Sequence, residues 1–134
     1  MTTIAEMRRD NSWNMLAGMF SESVMLLFPG GGKTTARALI QPARAEIRDR
    51  QYDSSTVEEI DVRLAKDPLA TIGSTTIGGL PRESVGPGLA LVREGEPEGR
   101  LFIFKFKIEE TPDTWLLRFE YEALQQIGTK HVRR

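Results

Sequence analysis

Residues 100–122, RLFIFKFKIEETPDTWLLRFEYE, decide the fold of this chain. The first half places its aromatic and large aliphatic side chains at every second position: Phe102, Phe104, Phe106 and Ile108. After the turn-forming sequence EETPDT, the second half repeats that spacing with Trp115, Leu117, Phe119 and Tyr121. Because successive side chains of a strand point to opposite faces, the two runs predict an antiparallel hairpin that supplies most of an aromatic core.

The residues before this hairpin predict further short strands. Apolar runs bounded by glycine and proline predict strands over 24–28 and 34–40, joined by a turn at 29–33. Residues 56–64 alternate between apolar and charged side chains, as a half-buried strand does, and 89–92 predict a short strand. Together with the hairpin, these segments predict a small antiparallel β-barrel or sandwich of about six strands.

A helix is predicted over residues 3–20. Thr3 and Glu6 have the spacing of a capping box, in which each side chain accepts a hydrogen bond from the other residue's free backbone N–H. One apolar stripe follows at helical spacing: Trp13, Leu16, Ala17 and Phe20. Three methionines add apolar surface off that stripe: Met7, Met15 and Met19. The helix therefore packs either on its own domain or on another chain.

The predicted fold class is α+β, in three parts. An amphipathic N-terminal helix occupies residues 1–22, a β-rich domain 23–122, and a basic C-terminal tail 123–134, which begins with one or two helical turns. Within the β-rich domain, residues 66–88 form a long loop rich in glycine and proline. Loops of this length are uncommon inside compact domains and are often functional, so this loop is the first place to expect a contact.

Composition argues against several classes of function. The chain has 134 residues, which suits one domain, with no cysteine and a single histidine, His131. Disulfides, thiolate chemistry, zinc–thiolate sites and a histidine-based catalytic relay are therefore not expected. We expect no enzyme activity, no catalytic residue, no metal and no cofactor. No run approaches the roughly 18 apolar residues of a membrane-spanning helix, so no membrane association is expected.

Charge gives only weak evidence for a polyanionic partner. The net charge is −1, and a mildly basic face is expected near four arginines: Arg37, Arg44, Arg48 and Arg50. A near-neutral chain lacks the positive field of a dedicated nucleic-acid binder, so solvated surface charge is the favoured interpretation. The aromatic residues of 102–106 with their neighbouring lysines also resemble a base-stacking strand, but their match to the apolar face of the next strand favours a core.

The sequence VMLLFPGGGKTT at 24–35 resembles a phosphate-binding loop and lacks its key features. The full pattern requires a glycine five residues before Gly32, where this chain has Leu27. The loop must also lead into a helix, whereas the sequence after Thr34 contains Thr35 and Ile40 and reaches Pro42 within eight residues. The three glycines therefore predict a hairpin turn.

Taken together, several segments resemble the small head-tail joining proteins of tailed phages and prophages. They are the helix, the hairpin VMLLFPGGGKTTARALIQPA, EIDVRLAKDP, a glycine-rich connection, GPGLALVREGEPEG, FIFKFKIEETPD and TWLLRFE. In that family a short β-barrel or sandwich carries an N-terminal helix and a long loop. The resemblance covers most of the chain, as a pattern of elements.

The resemblance implies a non-enzymatic virion subunit, without a cofactor, that assembles in a ring between portal and tail. Expected partners are the portal or adaptor protein, tail-completion proteins and further copies of the chain, with non-specific DNA proximity in the channel. The location would be the virion or the cytoplasm of the bacterial host. Candidate interface residues are Trp13, Met15 and Met19 on the helix, and Leu80, Arg82 and Val85 in the loop. The alternative is a small β-barrel module that binds nucleic acid or a peptide.

Overall fold

The structure, a computed structural model, describes residues 3–49 and 53–126. These residues form one α-helix, eight strands and a short 3-10 helix. In chain order they are α1 Ile4–Ala17, β1 Glu22–Leu27, β2 Lys33–Asp49, β3 Asp53–Ala65, β4 Thr71–Ile72, β5 Thr75–Thr76, the 3-10 helix Arg82–Ser84, β6 Ala90–Arg93, β7 Leu101–Glu110 and β8 Thr114–Gln126.

Six strands close into an antiparallel barrel in the order β1-β2-β3-β8-β7-β6, and β6 pairs again with β1. The predicted α+β class is therefore confirmed, and the six strands form a barrel and not a sandwich. Strands β4 and β5 pair separately as a small hairpin. Each barrel strand has two neighbours, so closure satisfies both of its edges.

Inward-facing side chains fill the barrel. Along β3 and β8, Ile60 lies opposite Phe119 and Val62 opposite Leu117. The fully buried core includes Val24, Leu26, Ile60, Val62, Leu64, Leu91, Phe102, Trp115, Leu117 and Phe119. Burial of Ile60, Val62 and Leu64, and of Trp115, Leu117 and Phe119, confirms the apolar faces predicted for these two strands, with Tyr121 partly buried against the core. On the opposite face, Glu59 and Glu120 are buried as well.

Strand β7 corrects the prediction of a single apolar face. Phe102 is buried and Phe104 is half-buried against the core. In contrast, Phe106 is 49% exposed and Ile108 is 40% exposed. The pairing of β7 with β8 shifts register after Phe104 and again after Lys107, which indicates two bulges. Each bulge inserts an extra residue, so the side chains that follow it no longer keep the original facing.

Helix α1 begins where the capping box predicts. The Glu6 N–H donates to the Thr3 hydroxyl at 3.1 Å, and the Thr3 N–H donates to the Glu6 carboxylate at 3.5 Å. The helix ends at Ala17, because the chain turns at Gly18, whose carbonyl accepts a hydrogen bond from the Ser21 N–H. The predicted extension to residue 20 is therefore wrong, and Phe20 lies beyond the helix, 84% exposed.

The buried side of α1 packs on its own domain. Trp13 and Leu16 form a second apolar cluster with Ala65, Ala70 and Ile77. Ala17 packs against the edge of this cluster. The apolar stripe residues Trp13, Leu16 and Ala17 therefore pack on their own domain and not on another chain.

Residues 66–88 are packed and hydrogen-bonded to the barrel. The Arg37 N–H of β2 donates to the Ile77 carbonyl at 2.7 Å, and the Leu80 N–H donates to the Ala65 carbonyl at 2.9 Å. Gly79 lies so close to β3 that an added Cβ would sit 2.7 Å from the Ala65 carbonyl oxygen. This part of the predicted loop therefore packs against the barrel strands β2 and β3.

Two further predictions concern turns and the C-terminal segment. Residues 29–33 join β1 and β2, with Leu27 opposite Lys33 and Gly31 at φ 98°, so the hairpin interpretation of the three glycines is confirmed. Strand β8 continues to Gln126, so residues 123–126 are strand where a helical turn and tail are predicted. The remainder of the predicted tail, 127–134, lies outside the described residues.

Candidate functional site

The three candidate residues from 66–88 lie around one side chain, Trp115 of β8. The Trp115 Nε1–H donates to the Leu80 carbonyl oxygen at 2.7 Å, while the Leu80 side chain itself is buried in the core. The Arg82 guanidinium carbon lies 5.4 Å from the centre of the indole ring. Val85 packs on the core beside them. The sequence identified these loop residues without indicating that Trp115 connects them.

A cluster of three cations and one carboxylate surrounds the same indole ring; we call Lys66, Arg82, Lys107 and Glu110 the cation cluster. The Lys66 Nζ donates to the Glu110 carboxylate at 2.5 Å and the Lys107 Nζ at 2.8 Å, and Arg82 also donates to it. The Lys66 and Lys107 nitrogens are 4.6 Å and 5.9 Å from the centre of the Trp115 ring. These distances are within the range of cation–π attraction.

Hydrogen bonds from the cations keep Glu110 ionised. Lys107, then Lys66, then Arg82 donate to its carboxylate, and these contacts lower the pKa of Glu110 to about 2 from an ordinary 4.5. A carboxylate that accepts several charge-assisted hydrogen bonds resists protonation in this way. At neutral pH the cation cluster therefore has three positive charges and one negative charge.

A shallow pocket of about 290 Å³ opens beside the cation cluster. We call it the Trp115 pocket, and it is lined by Arg82, Val85, Phe104, Lys107 and Trp115. The Arg82 side chain is 70% exposed, whereas Trp115 is buried and Phe104 half-buried. One pocket thus combines two accessible cations with apolar and aromatic walls.

Lys66, Lys107, Phe104 and Glu110 are site residues that sequence reasoning missed. Their positions follow from strand pairing, which sets Glu110 opposite Trp115 and Ala65 opposite Thr114. The only sequence signal is that charged residues flank the turn EETPDT, a common feature of exposed turns.

The candidate residues on the helix separate into buried and exposed ones. Trp13 is buried, and Met15 and Met19 are 56% and 87% exposed. By helical spacing, Ile4, Met7 and Met15 lie on the side of α1 opposite Trp13. Five exposed apolar residues lie on α1 or just after its end, and we call them the helix surface: Ile4, Met7, Met15, Met19 and Phe20.

A second exposed apolar set lies on β7, which the sequence analysis did not predict. It consists of Leu101, Ile103, Phe106 and Ile108, each at least 40% exposed, and we call it the β7 surface. Its first two residues line a shallow groove of about 380 Å³ with Lys105, Glu120 and Tyr121. The signal is visible in LFIFKFKI, where apolar residues occupy both faces of the strand.

Most cations on the outer face of the barrel have acidic partners. Lys105 pairs with Glu120 at 2.9 Å. Arg118 pairs with Asp61 at 2.5 Å, and its guanidinium lies 5.4 Å from the Phe106 ring. Acidic side chains therefore lie beside the lysine and arginine on this surface, which argues against the base-stacking alternative for this strand.

The predicted basic region is only partly described. Arg37 donates to the carbonyl and hydroxyl of Ser21, and Arg44 pairs with Glu59 at 3.2 Å. Arg50 and His131 lie outside the described residues. Within 3–49 and 53–126, no cluster of three His, Cys, Asp or Glu residues is placed to hold a metal ion. Within the same ranges, no helix has the length and apolarity needed to span a membrane.

No protein-family model matches the chain, and no curated protein matches it.

Proposed function

We propose that this chain is a non-enzymatic structural subunit of a phage or prophage head-tail connector, which assembles with copies of itself in a ring between portal and tail. The resemblance implies a short β-barrel or sandwich with an N-terminal helix and a long loop, and the described chain has a helix and a closed six-strand barrel. The proposal goes beyond the fold, because small barrels serve many functions.

The placement of exposed apolar side chains is the observation that carries the proposal. Ten large apolar side chains are exposed in the described part of the chain, and nine of them belong to the helix surface or the β7 surface. Exposed apolar patches of this kind mark sites of protein contact. Two different surfaces on one subunit suit a head-to-tail contact, which generates a ring when the rotation closes.

The decisive experiment is to sediment capsid-sized particles from an induced culture of the source organism and to identify this chain in them by mass spectrometry. Several copies per particle, alongside portal protein, are the expected result. Particles that form and complete without the chain would overturn the connector proposal.

The alternative function is a small β-barrel module that binds nucleic acid or a peptide. The Trp115 pocket favours it, because cations and apolar walls meet at one accessible place. Binding to DNA or RNA that weakens steeply with salt would support a nucleic-acid module, since phosphate contacts release counterions. Binding to peptides, without salt-sensitive binding to DNA or RNA, would support a peptide module.

A further inference from the structure

The Trp115 pocket carries more positive charge than its own acidic residue balances. Lys66, Arg82 and Lys107 all donate to the single carboxylate of Glu110. The neighbouring Glu109 pairs with Arg63 at 3.0 Å. Three cations held around one carboxylate attract a second anion, because each ammonium or guanidinium group has further N–H donors to offer.

Accessibility is greatest for the two cations that line the pocket. The Arg82 side chain is 70% exposed and that of Lys107 is 45% exposed, whereas Lys66 is 20% exposed. An incoming anion therefore meets Arg82 and Lys107 first. Arg82 also lies over Trp115, where ring contact restricts the guanidinium and lowers the entropy lost on binding.

The walls of the pocket favour an anion that is attached to an apolar group. Val85, Phe104 and Trp115 line it together with the two cations, in a volume of about 290 Å³. That space accommodates one side chain but not an extended polymer. A carboxylate attached to an aliphatic or aromatic group would satisfy the cations and cover the apolar wall at once.

A nucleic-acid backbone fits these observations less well. Phosphate tracking requires a row of available cations along a surface. Outside the pocket, Lys105 and Arg118 already contact Glu120 and Asp61. These two cations therefore do not extend the pocket into a row, and the pocket itself suits a single carboxylate.

We propose that the Trp115 pocket binds a carboxylate-bearing peptide segment of another protein, with the carboxylate between Arg82 and Lys107 and an adjoining apolar side chain on Val85 and Phe104. This inference is independent of the connector assignment, because it concerns the isolated chain.

The test uses the full chain labelled with ¹⁵N, observed through the indole N–H resonances of Trp13 and Trp115, which Trp13→Phe assigns. The probes are N-acetyl-leucine, the uncharged N-acetyl-leucinamide and inorganic phosphate, each at constant ionic strength. We expect N-acetyl-leucine to shift the Trp115 resonance saturably with a Kd in roughly the millimolar range, as a ligand of this size allows. Phosphate should bind more weakly, and the amide should have no effect.

Variants test whether Arg82 and Lys107 provide the binding affinity. Arg82→Ala and Lys107→Ala should each weaken binding about tenfold, the loss typical of removing one charge-assisted hydrogen bond. Arg82→Lys, which keeps the charge but not the planar group over Trp115, should weaken binding less than Arg82→Ala does. Lys105→Ala, on the same strand as Lys107 but outside the pocket, should retain all of the affinity. Equal shifts with the amide, tighter binding of phosphate, no saturable shift, or equal loss in Lys105→Ala would each overturn the proposal.

Discussion

The Trp115 Nε1–H donates a hydrogen bond of 2.7 Å to the carbonyl oxygen of Leu80, 35 residues earlier in the chain. This bond ties residues 66–88 to the last barrel strand. The other tryptophan differs, because Trp13 Nε1 is buried without a hydrogen-bond partner among the described residues. Substitutions of the two tryptophans can therefore be compared to measure the contribution of the Trp115–Leu80 hydrogen bond.

Trp115→Phe should lower the free energy of unfolding by about 1–3 kcal/mol more than Trp13→Phe does. Only the Trp115 substitution breaks a hydrogen bond and leaves the buried Leu80 carbonyl unsatisfied. Urea unfolding of both variants measures the difference. Equal losses would mean that the Trp115–Leu80 bond contributes nothing to stability.

The sequence predicted the two segments that form this site but not the contact between them. Alternating apolar residues predict β8, and the length of residues 66–88 predicts a contact segment. Which carbonyl Trp115 would reach depends on how residues 66–88 run along β2 and β3. Local periodicity contains no information on such long-range pairing.

The three phenylalanines of β7 should lose stability in graded amounts when replaced by alanine. Phe102→Ala should cost about 3–5 kcal/mol, because Phe102 is fully buried. Phe106→Ala should cost about 1 kcal/mol or less, because Phe106 is about half exposed, and Phe104→Ala should fall between them. Urea unfolding measures the series, and equal costs for Phe102 and Phe106 would contradict the bulged register.

The different burial of these three phenylalanines also shows where the strand prediction for β7 is wrong about side-chain facing. The period of two is right for β7 as a strand, and it places Phe102 and Phe104 correctly. It fails at Phe106, because the bulge after Phe104 reverses the facing of the side chains up to the second bulge after Lys107. A bulge depends on the partner strand, and no residue type in FKFKI requires one.

Gly79→Ala should destabilise the fold by about 1–3 kcal/mol, the typical range for overpacking a close contact. Gly79 has no positive φ, so the constraint is space: the new methyl group would sit 2.7 Å from the Ala65 carbonyl oxygen. Gly95→Ala is the control, because nothing lies within 4 Å of its added Cβ. Thermal or urea unfolding should leave Gly95→Ala nearly unchanged; a similar loss in both variants would contradict close packing at Gly79.

The cation cluster should make stability depend on acidic pH through Glu110. The folded pKa of about 2 lies below the ordinary 4.5, so the folded state favours the ionised carboxylate. The stabilisation is therefore complete above about pH 4.5 and is lost as pH falls towards 2.

Comparison with Glu110→Gln isolates that contribution. The wild-type chain should be more stable than Glu110→Gln at pH 7, and the gap should close between pH 4.5 and 2 and shrink at high salt. Glu83→Gln, exposed in the adjacent 3-10 helix, controls for removal of a surface carboxylate. A gap between wild type and Glu110→Gln that stays constant down to pH 2 would show that the three cations do not act on Glu110.

The connector proposal predicts that the helix surface is a contact between subunits. The double variant Met7→Lys and Met15→Lys adds two charges to exposed positions of α1, so stability should stay within about 0.5 kcal/mol of the wild type. Incorporation into particles should nevertheless fall sharply, because a buried contact between subunits would have to desolvate both ammonium groups. Thr75→Lys with Thr76→Lys, both exposed in β5, adds the same charge away from α1 and should leave incorporation unchanged. Mass spectrometry of sedimented particles compares the three chains, and normal incorporation of the methionine double variant would remove the helix surface from the assembly contacts.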